Sequence, residues 1–255
     1  MVHFVGAGPG AVDLITVRGK ELLEKADVII YAGSLVNPEL LKYAKDGCEI
    51  HDSAKLDLEQ VIEIVKKAEE EGKMTVRLHT GDPSIYGAIR EQMDELDKLG
   101  TGYDVTPGVS SFCGAAAALN MEYTLPGVTQ SVIITRMEKR TPVPERESVE
   151  ELSKHGATMV FFLSAGDSET LSKRLINAGV AEDTPVAVVY KATWDDEKKF
   201  VTDVENLPEV MAKNGINKTA LIIVGNSVKQ ADYEKSKLYS PDFTTGFRKG
   251  RNTDD

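Results

Sequence analysis

The chain has 255 residues, 30 basic and 41 acidic side chains and a formal net charge of −11, a balance that excludes extended binding to a polyanion such as DNA. No apolar run approaches the roughly 20 residues that cross a bilayer, and two cysteines are too few for a disulfide scaffold. These limits leave an ordinary α/β protein of one large or two modest domains, with two the better fit to the length.

Met1–Val5 lacks the basic region of a signal peptide and is expected to enter a strand directly, which fits a reducing cytoplasm. Apolar runs predict strands at His3–Gly6, Val28–Tyr31, Glu49–His51, Thr75–His79 and Asp104–Thr106, with amphipathic helices between them. The clearest helix spans Asp57–Glu71, where Leu58, Val61, Ile62, Val65 and Ala68 recur at three- and four-residue spacing and Gly72 stops the run. Other helices are expected to begin near Thr16 and near Ser84. The Ala-rich stretch from Cys113 to Leu119 reads as a core helix that buries Cys113.

Breakers between Asn120 and Gly127 mark a domain boundary, which gives an N-terminal α/β domain at 1–121, a C-terminal one at 122–235 and a polar tail at 236–255. The second series has strands at Ser131–Thr135, Thr158–Leu163, Val186–Tyr190, Phe200–Asp203 and Ala220–Val224, with helices at Ser168–Ala178 and Leu207–Asn214. The Lys199–Asp203 run follows a tight acidic turn and is expected to pair antiparallel with the strand before it, making the second sheet mixed.

Four loops carry the chemistry. Val5-Gly6-Ala7-Gly8-Pro9-Gly10 formally satisfies the dinucleotide fingerprint through Gly6, Gly8 and Ala11. Three details oppose a nicotinamide enzyme: Pro9 removes a backbone donor, the helix starts late, and Val28–Ala32 ends without an acidic residue for ribose. Leu78-His79-Thr80-Gly81-Asp82-Pro83-Ser84-Ile85-Tyr86-Gly87 places turn residues and a carboxylate after a strand, where Asp82 caps a helix, meets a ligand, or both. Val105–Ser111 ends in two serines at a helix mouth, and Val189–Asp195 follows a late strand. His3, His51, His79 and His155 show no metal-ligand spacing, and each is expected to be structural or solvated. Arg136, Lys139, Arg140 and Arg146 form a local basic excess suited to a small anionic ligand, or simply a solvated loop.

In that order and spacing the four loops resemble the tetrapyrrole methyltransferases over nearly the whole chain. The resemblance implies two α/β domains with an interdomain cleft, usually in a homodimer, and S-adenosylmethionine as methyl donor, leaving as S-adenosylhomocysteine. Carried over position by position, cofactor contacts fall on Pro9, Thr80, Gly81, Asp82, Ile85, Ser110, Ser111, Leu163, Ala192 and Ala220. Leu163 stands where relatives often have Met, and Ala192 where many have Gly.

Thr135–Glu145 and Tyr190–Lys198 look like the branch of the family that methylates C11 of precorrin-4 or its cobalt form. Tyr86, Arg136, Lys139, Arg140 and Lys191 then become substrate contacts for an anionic tetrapyrrole, with Asp82 and Arg136 the residues nearest the chemistry. No metal site, nucleic acid or membrane enters this reading. Other family methyltransferases, including the diphthamide-forming branch, and a non-catalytic tetrapyrrole carrier stay open.

Overall fold

The computed structural model describes residues 1–251, so the last four residues of the expected tail lie outside it. Two compact units result: Met1–Ala118 with Val189–Lys198, and Leu119–Val188 with the residues from Lys199 on. Val189–Lys198 is grouped with the first unit in this division.

In the first unit β1 (Val2–Gly6), β2 (Val28–Tyr31), β3 (Glu49–Asp52), β4 (Thr75–His79) and β5 (Tyr103–Thr106) form a sheet of order β3-β2-β4-β1-β5. Every pair is parallel, with Val2 opposite both Thr75 and Tyr103. Both faces are therefore covered. Val5, Ile29, Val76 and Leu78 pack on one face with Leu23 of α1 (Val17–Lys25) and Leu40. Val2, Phe4, Val28 and Ile30 pack on the other with Val61 and Val65 of α2 (Leu58–Glu70) and Met93 and Leu96 of α3 (Ile89–Leu99).

Local chemistry sets these helix ends. Thr16 caps α1 by accepting from Gly19 N. Asp57 and Gln60 form a reciprocal capping box on α2, and Gly72, at φ +68°, lies just beyond its end. The helix expected near Ser84 starts only at Ile89. Tyr86 and Ala88 adopt φ of 55° and 50°, conformations that cannot continue a right-handed helix, so the preceding segment turns instead. On α4 (Ser111–Leu119) it is Gly114 and Ala115 that are buried, whereas Cys113 is exposed, contrary to the expectation of a buried thiol.

After β1 the chain runs toward β2 on one side, and after β4 it runs through α3 to β5 on the other. Adjacent strands whose connections leave in opposite directions open a crevice at their carboxyl ends, the position where such sheets bind ligands. The Gly6 loop and the Thr80 loop leave the sheet at that position.

The second unit has β6 (Val132–Arg136), α5 (Val149–Ser153), β7 (Thr158–Phe162), α6 (Ser168–Asn177), β8 (Pro185–Tyr190), β9 (Lys198–Asp203), α7 (Leu207–Lys213) and β10 (Ala220–Val224). Its sheet order is β6-β7-β10-β8-β9. The sheet is mixed because β7 runs parallel to β6 but antiparallel to β10. β9 neighbours β8, as the sequence predicted.

Candidate active site

Three loops of the first unit are joined through glycine. Gly8 and Gly81 exchange main-chain hydrogen bonds, Gly8 N to Gly81 O at 3.2 Å and Gly81 N to Gly8 O at 2.8 Å. A Cβ on Gly6 would sit 2.5 Å from Gly108 Cα and 2.7 Å from Gly81 O. Here glycine is required by contact between backbones, not by pyrophosphate. A side chain at either position would force the loops apart.

Asp82 staples the same loops. One carboxylate oxygen accepts from Gly108 N at 2.9 Å and the other from Ser84 N at 2.9 Å and from the Ser84 hydroxyl. Burial alone would raise its pKa, but the hydrogen bonds from Ser84 and Gly108 together outweigh it and hold the carboxyl below its ordinary value. Asp82 therefore caps a turn and bridges to the next loop, in place of the helix cap considered from sequence. Asparagine offers one acceptor oxygen where the staple uses two, so Asp82→Asn is expected to lower stability by about 1–3 kcal/mol. Urea unfolding checks this; an unchanged midpoint would mean that the staple adds nothing.

Around this junction, Ser110 and Ser111 lie beside Gly81, whose Cβ would be 3.4 Å from Ser111 N. Neither serine hydroxyl is bonded among the described residues. Thr80 donates its hydroxyl to Leu35 O at 2.9 Å. Thr80, Ile85 and Tyr86 line a cavity of about 260 Å³.

The fourth loop packs onto the first. Trp194 Nε1 donates to Pro9 O at 3.1 Å, and the indole lies where a Cβ on Gly10 would be, 2.1 Å away. Thr193 accepts from Ala11 N at 2.9 Å while its own N donates to Glu197 at 2.6 Å. Its φ of 70° is unfavourable for a β-branched residue, and these two bonds hold it there. Ala192 is buried beside them. Lys191 bonds Asp196 at 2.7 Å and stands over the Trp194 ring at 5.3 Å. Sequence reasoning quoted this segment but gave Thr193 and Trp194 no role.

The second unit assembles its own group at one end of its sheet. Arg136 pairs with Phe162 across β6 and β7, and β10 runs antiparallel to β7 with Ile222 opposite Phe161, so Leu163 follows the end of β7 and Ala220 begins β10. Leu163 is 62 % exposed at φ 52°. Arg136 donates to the carbonyls of Met137, Thr141 and Pro142, so it organises its own loop. Lys139 and Arg140 on that loop are exposed. Glu138 fixes the loop to α6 through Arg174 at 2.6 Å, and Arg174 also grips Glu150 of α5.

The sequence reading took His79 as structural or solvated and gave Arg77 no role, yet both are buried side chains lining the cavity. Alternation was the available signal, since residues 77 and 79 share one face of an otherwise apolar strand.

A two-unit α/β chain whose first sheet presents glycine loops at a strand-end crevice has the architecture of a small-molecule enzyme. Residues 1–208 match the family of tetrapyrrole (corrin/porphyrin) methylases, and the chain belongs to that family. It is 53 % identical over 248 residues to the cobalt-precorrin-4 C(11)-methyltransferase of Methanocaldococcus jannaschii, covering 97 % of this chain and 96 % of that protein. Among solved structures it is similar to a cobalt-precorrin-4 methyltransferase from cobalamin biosynthesis, with a TM-score of 0.87, 49 % identity and coverage of 89 % of this chain and 95 % of that one. The fold is shared with a Thermus thermophilus uroporphyrin-III C-methyltransferase solved with S-adenosylhomocysteine, at TM-score 0.76, 24 % identity and coverage of 90 % and 99 %.

Proposed function

We propose that this chain transfers a methyl group from S-adenosylmethionine to C11 of a precorrin-4-type tetrapyrrole, with the cobalt-loaded ring as acceptor. Strong similarity over nearly the full length to cobalt-precorrin-4 methyltransferases supports the acceptor and its metal. The observation that carries the cofactor reading is the junction of the Gly6, Gly81 and Gly108 loops, beside which two serine hydroxyls stand unbonded. A donor rich in amines and hydroxyls needs such partners. Pro9, Thr80–Asp82, Ile85, Ser110, Ser111 and Ala192 are the first unit's contacts in this reading.

Bound there, S-adenosylmethionine supplies an electrophilic methyl on a sulfonium whose charge disperses during in-line displacement. The residues' task is orientation, without a covalent enzyme intermediate. Asp82 acts as a positioning residue because both its oxygens already hold the loops. Arg136 shapes the basic loop, and Lys139 and Arg140, exposed on it, meet the acidic side arms of the ring. Lys191, held over Trp194, adds a further cation.

The double variant Lys139→Gln with Arg140→Gln is expected to raise the acceptor KM by about tenfold or more, while the Kd for S-adenosylhomocysteine stays within about twofold. The single tryptophan, Trp194, stands against the Gly10 loop and gives a fluorescence signal for that Kd. An unchanged KM would make the basic loop a solvated surface.

A further inference from the structure

The cavity on the α2/α3 side of the first sheet has a polar floor that the loop junction does not require. Arg77 and His79 project from β4 where the flanking residues of that face, Phe4 and Ile30, are apolar. Arg77 is 7 % exposed and His79 4 %. The guanidinium donates to two neutral acceptors, Gln92 Oε1 and Ile30 O, each at 3.0 Å. No carboxylate pairs with it among the described residues. His79 Nε2 is buried with no hydrogen-bond partner there. A buried cation without a counter-charge beside an orphaned ring nitrogen is an unfavourable arrangement unless something enters the adjoining space.

The surrounding electrostatics select what enters. The cavity borders the start of α2, at Asp57 and Leu58, and the start of α3, at Ala88. Ala88 offers no side-chain cap, so the first amides of α3 lack a side-chain acceptor, and both helix starts favour negative charge. Two carboxylates also line the space. Asp57 turns an oxygen to Gln60 N at 2.9 Å, and Glu91 is exposed at the rim. At about 260 Å³ the cavity is below the usual size of a pocket for a whole drug-sized ligand, so it holds a side arm and not a macrocycle. His79 is held neutral, its pKa lowered to about 3 by burial and by Arg77.

We propose that this cavity is a subsite for one carboxylate arm of the tetrapyrrole, with Arg77 supplying the charge and His79 Nε2 a second hydrogen bond. The assignment rests on the tetrapyrrole reading above for the identity of the arm. The chemistry of the pocket, a small carboxylate on Arg and neutral His, stands independently of it.

The experiment has two arms. In the first, sodium propionate is titrated into the wild-type protein while the ring nitrogens of His79 are followed by NMR. Saturable shifts are expected, and they should vanish in Arg77→Met. An unmoved His79 signal in the folded wild type overturns the carboxylate pocket, whether or not the protein is a methyltransferase. In the second arm, His79→Phe removes the hydrogen bond, whereas His79→Gln keeps an N–H donor near the position of Nε2. His79→Phe is expected to raise the acceptor KM about tenfold with the Kd for S-adenosylhomocysteine unchanged, and His79→Gln to restore KM to within about threefold of wild type. If the two variants are equally impaired, or neither is, the hydrogen-bonding role is wrong. Should the wild type methylate no tetrapyrrole while propionate still shifts His79, it is the function that fails and not the pocket.

Discussion

Gly108→Ala is expected to abolish binding of S-adenosylhomocysteine and to destabilise the chain by about 3 kcal/mol or more. The added Cβ would lie 2.1 Å from Gly81 O, 2.7 Å from Gly6 Cα and 2.9 Å from Gly6 C. All three are backbone atoms, so no rotamer change relieves the clash. The loops must separate, and the 2.9 Å bond from Gly108 N to Asp82 goes with them. Gly102→Ala is the control, because no atom stands within 4 Å of its Cβ. Calorimetry with S-adenosylhomocysteine and thermal unfolding of both variants check the expectation. Wild-type binding by Gly108→Ala would show that the junction does not shape the cofactor site.

The second large effect is on acid stability. His79 in the folded chain has its pKa lowered from 6.5 to about 3, by burial first and by Arg77 second. The unfolded chain therefore binds a proton that the folded one refuses between those values. Stability attributable to His79 is fully present above about pH 6.5 and is lost as pH falls toward 3. Over the whole window the loss amounts to about 4–5 kcal/mol. Urea unfolding of wild type and His79→Gln at a series of pH values checks the sign. The wild type should lose stability relative to the variant as pH falls. Parallel curves would mean that His79 protonates in the folded state at little cost.

How far the sequence carried the fold follows from the range of the forces involved. The α2 helix was legible because its apolar stripe, its Asp57 cap and Gly72 all act within a few residues. The strands of both sheets were legible as short apolar runs bounded by turn residues. The start of α3 was not, since nothing in Tyr86 or Ala88 as residue types announces a left-handed backbone. A Cβ on the intervening Gly87 would meet Pro83 O at 2.1 Å, a contact seen only once the turn is folded. Cys113 was misplaced because a helix of small residues has no strong apolar face to orient it.

The site divides in the same way. Motif order along the chain selected the four loops and the family. That the loops meet through Gly6, Gly81 and Gly108, that Asp82 bonds across two of them, and that Trp194 reaches Pro9 are contacts between distant residues, which spacing alone does not encode. Arg136 shows the limit most clearly. A basic cluster in sequence implies ligand charge, yet this guanidinium holds three carbonyls of its own loop, whereas Lys139, Arg140 and Arg146 are exposed.

The central claim is methyl transfer to one carbon of one class of ring. Incubating the protein with cobalt-precorrin-4 and S-adenosylmethionine carrying a carbon-13 methyl, then locating the label by NMR of the isolated product, tests it directly. The account predicts a single new methyl at C11, formed together with an equal amount of S-adenosylhomocysteine. A label on any other ring carbon, or no transfer by protein that binds S-adenosylhomocysteine, would contradict it.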